Sequence, residues 1–185
     1  MGIVQQARNF VQDQCKKPAS HYSAGIFEGH LVPMESIADG LAIKFGADRE
    51  IVGVGVWLHD AGSIICGRDD HHLTGAAITE VVLRMWGYPE VKIHKVKGCV
   101  LSHRGSQKIA PKTLEEQIVA EADALSAFYN LSGLFKGAFD EGKNQREAEI
   151  SIRKKLINKW NQLLFLESKE SVQSRFKAAM ELLDA

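Results

Sequence analysis

The chain has 185 residues, a length that suits one domain with room for a small helical extension. Lysine plus arginine equals aspartate plus glutamate, and a formal net charge of +0 argues against a broad electrostatic footprint for nucleic acid or an anionic membrane, though a local basic pocket remains open. A hydrophobic share of 45% supports a real core, a charged share of 25% fits a soluble globular chain, and no apolar run reaches the roughly 18 residues of a membrane span.

In chain order, the N-terminal MGIVQQARNF has no signal-peptide layout, and Gln6 breaks the myristoylation pattern. Cys15, Cys66 and Cys99 are odd in number and form no CxxC pair, so a disulfide framework or thiolate zinc site is not expected and a reducing cytoplasm fits best. No internal repeat or low-complexity tract occurs, and the four prolines act as punctuation. From Glu28 to Phe45 the apolar residues Leu31, Met34, Ala38, Leu41, Ala42 and Phe45 recur at helical spacing. Pro33 is tolerable only near that helix's start, which places His30 at the start, one turn before Met34 and facing the apolar side. Asp48 is a candidate cap for a second helix through Ile51, Val52, Val54, Val56, Trp57 and Leu58. Its β-branched residues allow a strand, but no other strand candidate exists to pair with it, so helix is the reading.

Ala61 to Asp70 reads as a loop with Gly62, Gly67 and two aspartates, followed by a helix from about Leu73 to Trp86 that Gly87 ends in the left-handed conformation. Pro89 suits the first turn of the next helix, which carries Ile93, Val96 and Val100 and puts His103 on the same core face. Gly105 to Lys112 reads as a loop, and Thr113 with Glu116 as a capping box. Ile118, Val119, Ala122, Leu125 and Phe128 then follow at helical spacing, with Asp123 four residues after Val119 aiming a carboxylate at the apolar face. Two amphipathic helices close the chain, one carrying Ile150, Ile157, Trp160 and Leu164, the other Val172, Phe176, Ala179 and Leu183. Gly137 to Asn144 is the weakest point before them, so residues 1–136 form the expected core and 137–185 C-terminal helices packed on the same domain.

His30, His59, Asp60, His71, His103 and Asp123 are thus delivered to buried faces or to the loop beside them. Burying so many polar groups without partners costs several kcal/mol each, roughly, and a shared divalent metal satisfies them together. Imidazole with carboxylate suits one or two ions of Fe, Mn, Co, Ni or Zn, and suits Mg less well. The dipeptide His59-Asp60 alone is a weak signal, since about 0.3 such pairs arise by chance in this composition. The bland alternatives are a metal-free buried polar network, a helix N-terminal surface residue at His71 and a C-terminal helix cation at His103.

The segments GHLVPMESIADGLA, VGVGVWLHDAGSI, DDHHLTGAAI, VLSHRGS and VAEADALSAF together resemble, in order, the HD superfamily of metal-dependent phosphohydrolases, over roughly residues 28 to 130. The resemblance implies an all-α HD-domain helical bundle with a C-terminal helical extension, and a metal held by His30, His59, Asp60 and Asp123. In branches with a second metal, His71 and His103 match its ligands and Asp60 the bridge. The chain departs from the family pattern at Glu121, where Asp-Ala-Asp is common, and at Gly98, where His before Cys is frequent. It carries no Gly-Tyr-Pro after His103, against the cyclic-dinucleotide phosphodiesterase branch; Trp86 to Pro89 reads as a helix-ending turn.

The implied activity is hydrolysis of a small phosphate ester, with a nucleotide as the expected substrate, by metal-activated water. Asp60 would orient the water and Arg104, beside His103, would grip phosphate, or would be an ordinary surface charge. Lys95 and Lys97 are weaker phosphate candidates, and His72 is a proton donor or a surface residue. Arg153, Lys154, Lys155 and Lys159 read as a solvated helix face. Two other classes stay open: a di-iron oxygenase on the same ligands, and a non-catalytic metal-binding regulatory module. A homodimer is the base-rate expectation for assembly.

Overall fold

The computed structural model describes residues 1–22, 25–105 and 109–184, and the described residues contain helices and no strand. The helices are α1 (Ile3–Cys15), α2 (Val32–Phe45), α3 (Arg49–Leu58), α4 (Ala61–Cys66), α5 (His71–Met85), α6 (Glu90–Ser102), α7 (Leu114–Tyr129), α8 (Leu131–Asp140), α9 (Gln145–Gln162) and α10 (Leu166–Asp184). A π-helical turn, Phe27–Leu31, leads into α2.

Most expected helices form where their punctuation places them. Asp48 caps α3, its carboxylate accepting from Glu50 N and Ile51 N. The β-branched run is helical and buried on nearly every side, from Ile51 through Leu58. Gly87 takes φ +70° after α5, and Tyr88 N returns to Leu83 O at 2.9 Å, closing the helix end. Thr113 caps α7 by accepting from Glu116 N at 3.3 Å, but the capping box is not reciprocal: the Glu116 carboxylate takes Lys112 N instead, at 2.8 Å.

Two expectations are corrected. The segment read as a loop from Ala61 is helical as far as Cys66, because Ala61, Ser63 and Ile64 are buried and hold it as a short helix. Gly62 misled the reading: it is present for space, since a Cβ there would lie 2.2 Å from His71 O and 2.6 Å from Gly75 N, where α4 meets the first turn of α5. On α9, Ile150 is exposed and Ala148, Ile152 and Leu156 form the buried stripe, while Leu164, expected on the same helix, lies exposed in the connection to α10. Two apolar stripes compete on this helix, and the one bearing the small Ala148 faces inward. The expected loop from Gly105 to Lys112 lies partly outside the described residues.

Packing divides into two hydrophobic clusters that meet on α7. Ile118, Val119 and Ala122 belong to the first, with Leu31, Met34, Val54, Trp57, Val96 and Val100. Ala124, Leu125, Ala127 and Phe128 belong to the second, with Ala148, Ile152, Leu156, Val172 and Leu183. Trp160 on α9 stacks on Phe176 of α10 with ring centroids 4.5 Å apart. The position expected to divide the chain, residue 137, falls inside α8. No helix among the described residues is long and apolar enough to cross a membrane. Asp123 lies at the seam between the two clusters.

Candidate metal centre

The six residues singled out in the sequence converge. His59 and His103 occupy equivalent places as the C-caps of α3 and α6, and both are buried. Each turns Nδ1 onto the carbonyl three residues earlier, His59 onto Val56 O at 2.7 Å and His103 onto Val100 O at 2.6 Å. His71, the first residue of α5, does the same toward Arg68 O at 3.0 Å. A carbonyl only accepts, so Nδ1 carries the proton in all three rings and Nε2 is left with a lone pair.

His30 reaches the same state by another route. Its Nδ1 lies 3.0 Å from Ser126 Oγ, and that hydroxyl spends its own proton on Asp123 O at 2.8 Å. Ser126 therefore accepts from His30, and His30 Nε2 also points a lone pair inward. His30 Nε2 faces His59 Nε2 at 3.3 Å, and His71 Nε2 faces His103 Nε2 at 3.2 Å. Lone pairs opposed at such distances repel unless a cation lies between them, either a proton or a metal.

Asp60 stands between the pairs, one oxygen toward each. Its Oδ2 is 3.5 Å from His59 and 3.9 Å from His30, and its Oδ1 is 3.7 Å from His71 and 3.9 Å from His103. Ser63 Oγ donates to Oδ1 at 3.1 Å and fixes the carboxylate plane. Two groups result, His30–His59–Asp60 and Asp60–His71–His103, with the donor atoms of each within 4.8 Å of one another. The donor set, four neutral imidazoles and a shared carboxylate, fits borderline divalent metals. Asp123 joins from one side: its Oδ1 is 3.7 Å from His30 Nε2, and its Oδ2 is held by Lys159 Nζ at 2.5 Å.

The charges are coupled. Burial and the neighbouring imidazoles lower His30 to about 4 and His103 to about 3, partly opposed by the Asp60 and Asp123 carboxylates. Burial presses His59 the same way, but Asp60 and Asp123 outweigh it and raise its value. Burial favours neutral carboxyls, yet His59 and its neighbours hold Asp60 well below the usual range, and Lys159 with His59 does so for Asp123.

Sequence reasoning missed how His30 is held. Pro33 has no N–H to give the Gly29 carbonyl, its partner four residues back, and the helix widens into the π-turn there. Asn130 Nδ2 donates to that carbonyl at 2.6 Å. Asp123, Ser126 and Asn130 are spaced i, i+3 and i+7, so one polar stripe of α7 and its C-cap serves the whole His30 segment. That spacing was legible; Pro33 as the reason for it was not.

Lys159 is a correction to the solvated face assigned to α9. It is largely buried and paired with Asp123 because α9 turns its Ala148–Ile152–Leu156 side, and Lys159 with it, toward α7. His72 is buried rather than on the surface, its Nδ1 without a hydrogen bond among the described residues, and its value is lowered by burial and by Arg104. Arg104 is half-buried just past His103 and within electrostatic range of His72. Lys97 is tied to Glu80, and Lys95 is exposed.

Both departures from the family pattern have structural uses. Glu121 is fully buried away from the centre and accepts Leu164 N at 2.6 Å and Phe165 N at 3.2 Å, bracing the junction of α9 and α10. At Gly98 a Cβ would lie 2.5 Å from Glu116 Oε1, so α6 approaches the start of α7 only without a side chain there.

A curated relative, the tRNA (cytidine(56)-2'-O)-methyltransferase of Picrophilus torridus, is 27% identical over 77% of this chain but only 44% of its own length, so the chain spans less than half of that protein. Among solved structures, Bacillus subtilis YpgQ in complex with ADP superposes with a TM-score of 0.73 at 17% identity, covering 98% of this chain and 94% of that one. An HD-superfamily hydrolase from Bacillus thuringiensis gives 0.70 at 15% identity, covering 98% and 93%. These structures share the fold. The HD domain family model matches residues 27–127, the segment that carries all six converging residues, and the chain belongs to the HD-domain family.

Proposed function

We propose that this protein is a metal-dependent phosphohydrolase acting on a small phosphate ester, with nucleotides as the substrate class. The observation that carries the reading is Asp60 set between two histidine pairs, each with Nε2 lone pairs facing across 3.2–3.3 Å. A divalent cation held there supplies a water of lowered pKa and neutralises charge on a phosphoryl oxygen. His30, His59 and Asp123 would hold one ion, His71 and His103 a second, with Asp60 shared. Fe, Mn, Co, Ni and Zn suit these donors.

The chain's own residues do the remainder. Asp60, fixed by Ser63, orients the attacking water, whose proton passes to solvent as the new oxygen–phosphorus bond forms. The ester oxygen–phosphorus bond breaks, and the leaving alcohol receives a proton from solvent. Arg104, adjacent to His103 in the chain, would grip the phosphate. The nucleotide class is supported by YpgQ, a structural neighbour captured with ADP. A reducing cytoplasm suits the chain's three free thiols.

The test is phosphate or pyrophosphate release from a panel of nucleotides and simple esters, by protein loaded in turn with each of the five metals, with Asp60→Ala beside wild type. Release that depends on Asp60, with metal content lost in the variant, supports the proposal. Identical behaviour of the two proteins sinks it. Oxygen uptake by the iron-loaded form, without phosphate release, would move the reading to an oxygenase.

A further inference from the structure

Helix α9 brings two lysines, one turn apart, to the edge of the centre. Lys159 is committed: its ammonium lies 2.5 Å from Asp123 Oδ2 and is mostly buried. Lys155 is four residues earlier on the same face, and unlike Lys159 it is exposed to solvent. Among the described residues no hydrogen bond or ion pair holds it. Its surroundings are strongly charged: Asp60 and Asp123 attract it, while Lys159 and Arg68 repel it.

Arg68, before α5, belongs to the same rim. Its Nε donates to Tyr22 Oη at 3.1 Å, and its guanidinium pairs with Glu141, which Lys143 also holds. Three cations therefore stand on one side of the histidine and aspartate cluster. Two have their counter-ions built in, Asp123 for Lys159 and Glu141 for Arg68. The third has Glu141 in range, with that carboxylate already taken by Arg68 and Lys143. A solvent-facing ammonium crowded by like charges and left unpaired is a seat for an anionic group arriving from solution.

We propose that Lys155 binds the substrate's phosphate, so that helix α9, outside the segment matched by the family model, supplies the anion-recognition side of the site. The inference rests on the phosphohydrolase reading for its substrate. Lys159 is the positioning partner: it neutralises Asp123 and keeps the lysine face of α9 turned inward. Lys154, exposed on the neighbouring face, serves as the internal control.

The experiment is ADP binding by calorimetry to manganese-loaded protein, comparing wild type with Lys155→Gln, Lys155→Arg and Lys154→Gln, and measuring the metal content and thermal midpoint of each. Loss of one charge-assisted contact should raise the ADP dissociation constant about tenfold in Lys155→Gln. Lys155→Arg should keep most of the affinity, Lys154→Gln should match wild type, and metal content should be equal in all four. Equal ADP affinity in wild type and Lys155→Gln overturns the inference. So does failure of loaded wild type to bind ADP at all. Either result leaves the phosphohydrolase reading to be judged separately, by Asp60-dependent release from the ester panel.

Discussion

At the scale of single residues, the imidazoles of the centre are organised by what their outer nitrogens do. Carbonyls of Val56, Arg68 and Val100 and the Ser126 hydroxyl fix four Nδ1–H groups, which leaves four Nε2 atoms available to a cation. The two groups are separable because only Asp60 belongs to both. His71→Ala should therefore lose the ion of the second group and keep that of the first, a difference readable by metal analysis of freshly purified protein. Equal metal content in variant and wild type would leave His71 outside the centre. The same histidines set a pH dependence for the metal-free chain. His30 and His103 lie far below their ordinary value of 6.5 when folded, at about 4 and about 3, so the unfolded chain binds more protons in the window between. Stability conferred by these two is present above 6.5 and is lost as pH falls toward 4. His59, raised on folding, acts in the opposite sense, its contribution present below 6.5 and lost as pH rises through its folded value. Between 6.5 and 4 the contribution of His59 stays constant and those of His30 and His103 are lost, so the thermal midpoint of chelator-treated protein should drop on acidification through that window, and His30→Gln should flatten the fall.

At the scale of elements, the instructive parts are the π-turn and the α9–α10 junction. Asn130→Ala removes the donor to Gly29 O and leaves His30 on an unbraced turn. Its metal affinity should fall about tenfold, as is usual when a supporting contact of a ligand is lost, and titration with Mn(II) would measure it. Glu121→Ala strips the acceptor from the backbone N–H groups of residues 164 and 165, an expected loss of about 1–3 kcal/mol in chemical denaturation. The positions of the converging residues were legible in the sequence because each sits at helical spacing from apolar neighbours or at a helix end marked by punctuation. His30 one turn before Met34, His103 three after Val100 and Asp123 four after Val119 all needed only the 3.6-residue period. What the period does not reveal is which of two apolar stripes a helix buries. That ambiguity hid the inward face of α9, and with it the roles of Lys155 and Lys159. The helix from Ala61 was hidden because a glycine needed for close packing looks, in sequence, like a glycine needed for a turn.

At the scale of the whole molecule, the second cluster is built from the far half of α7 and from α8, α9 and α10. Removing residues 141–185 would uncover Ala124, Leu125, Ala127 and Phe128 on the helix that also carries Asp123 and Ser126. We expect that truncation to abolish cooperative unfolding and metal retention together. A truncated chain that still melts cooperatively and keeps its metal would show that the C-terminal helices are dispensable to the centre.

Helix α7 enters one cluster with Ile118, Val119 and Ala122, leaves through the other from Ala124 onward, and holds Asp123 between them. Inserting or deleting one residue there rotates everything beyond by about 100° relative to everything before. No local adjustment can restore both interfaces and the carboxylate at once. The chain's tolerance for changes of length is thus confined to places such as the exposed turn at Glu141–Gly142, where Gly142 sits at φ +81° and little packing depends on register. That turn, and not the interior of α7, is where a reporter or a second domain could be spliced in without disturbing the histidines.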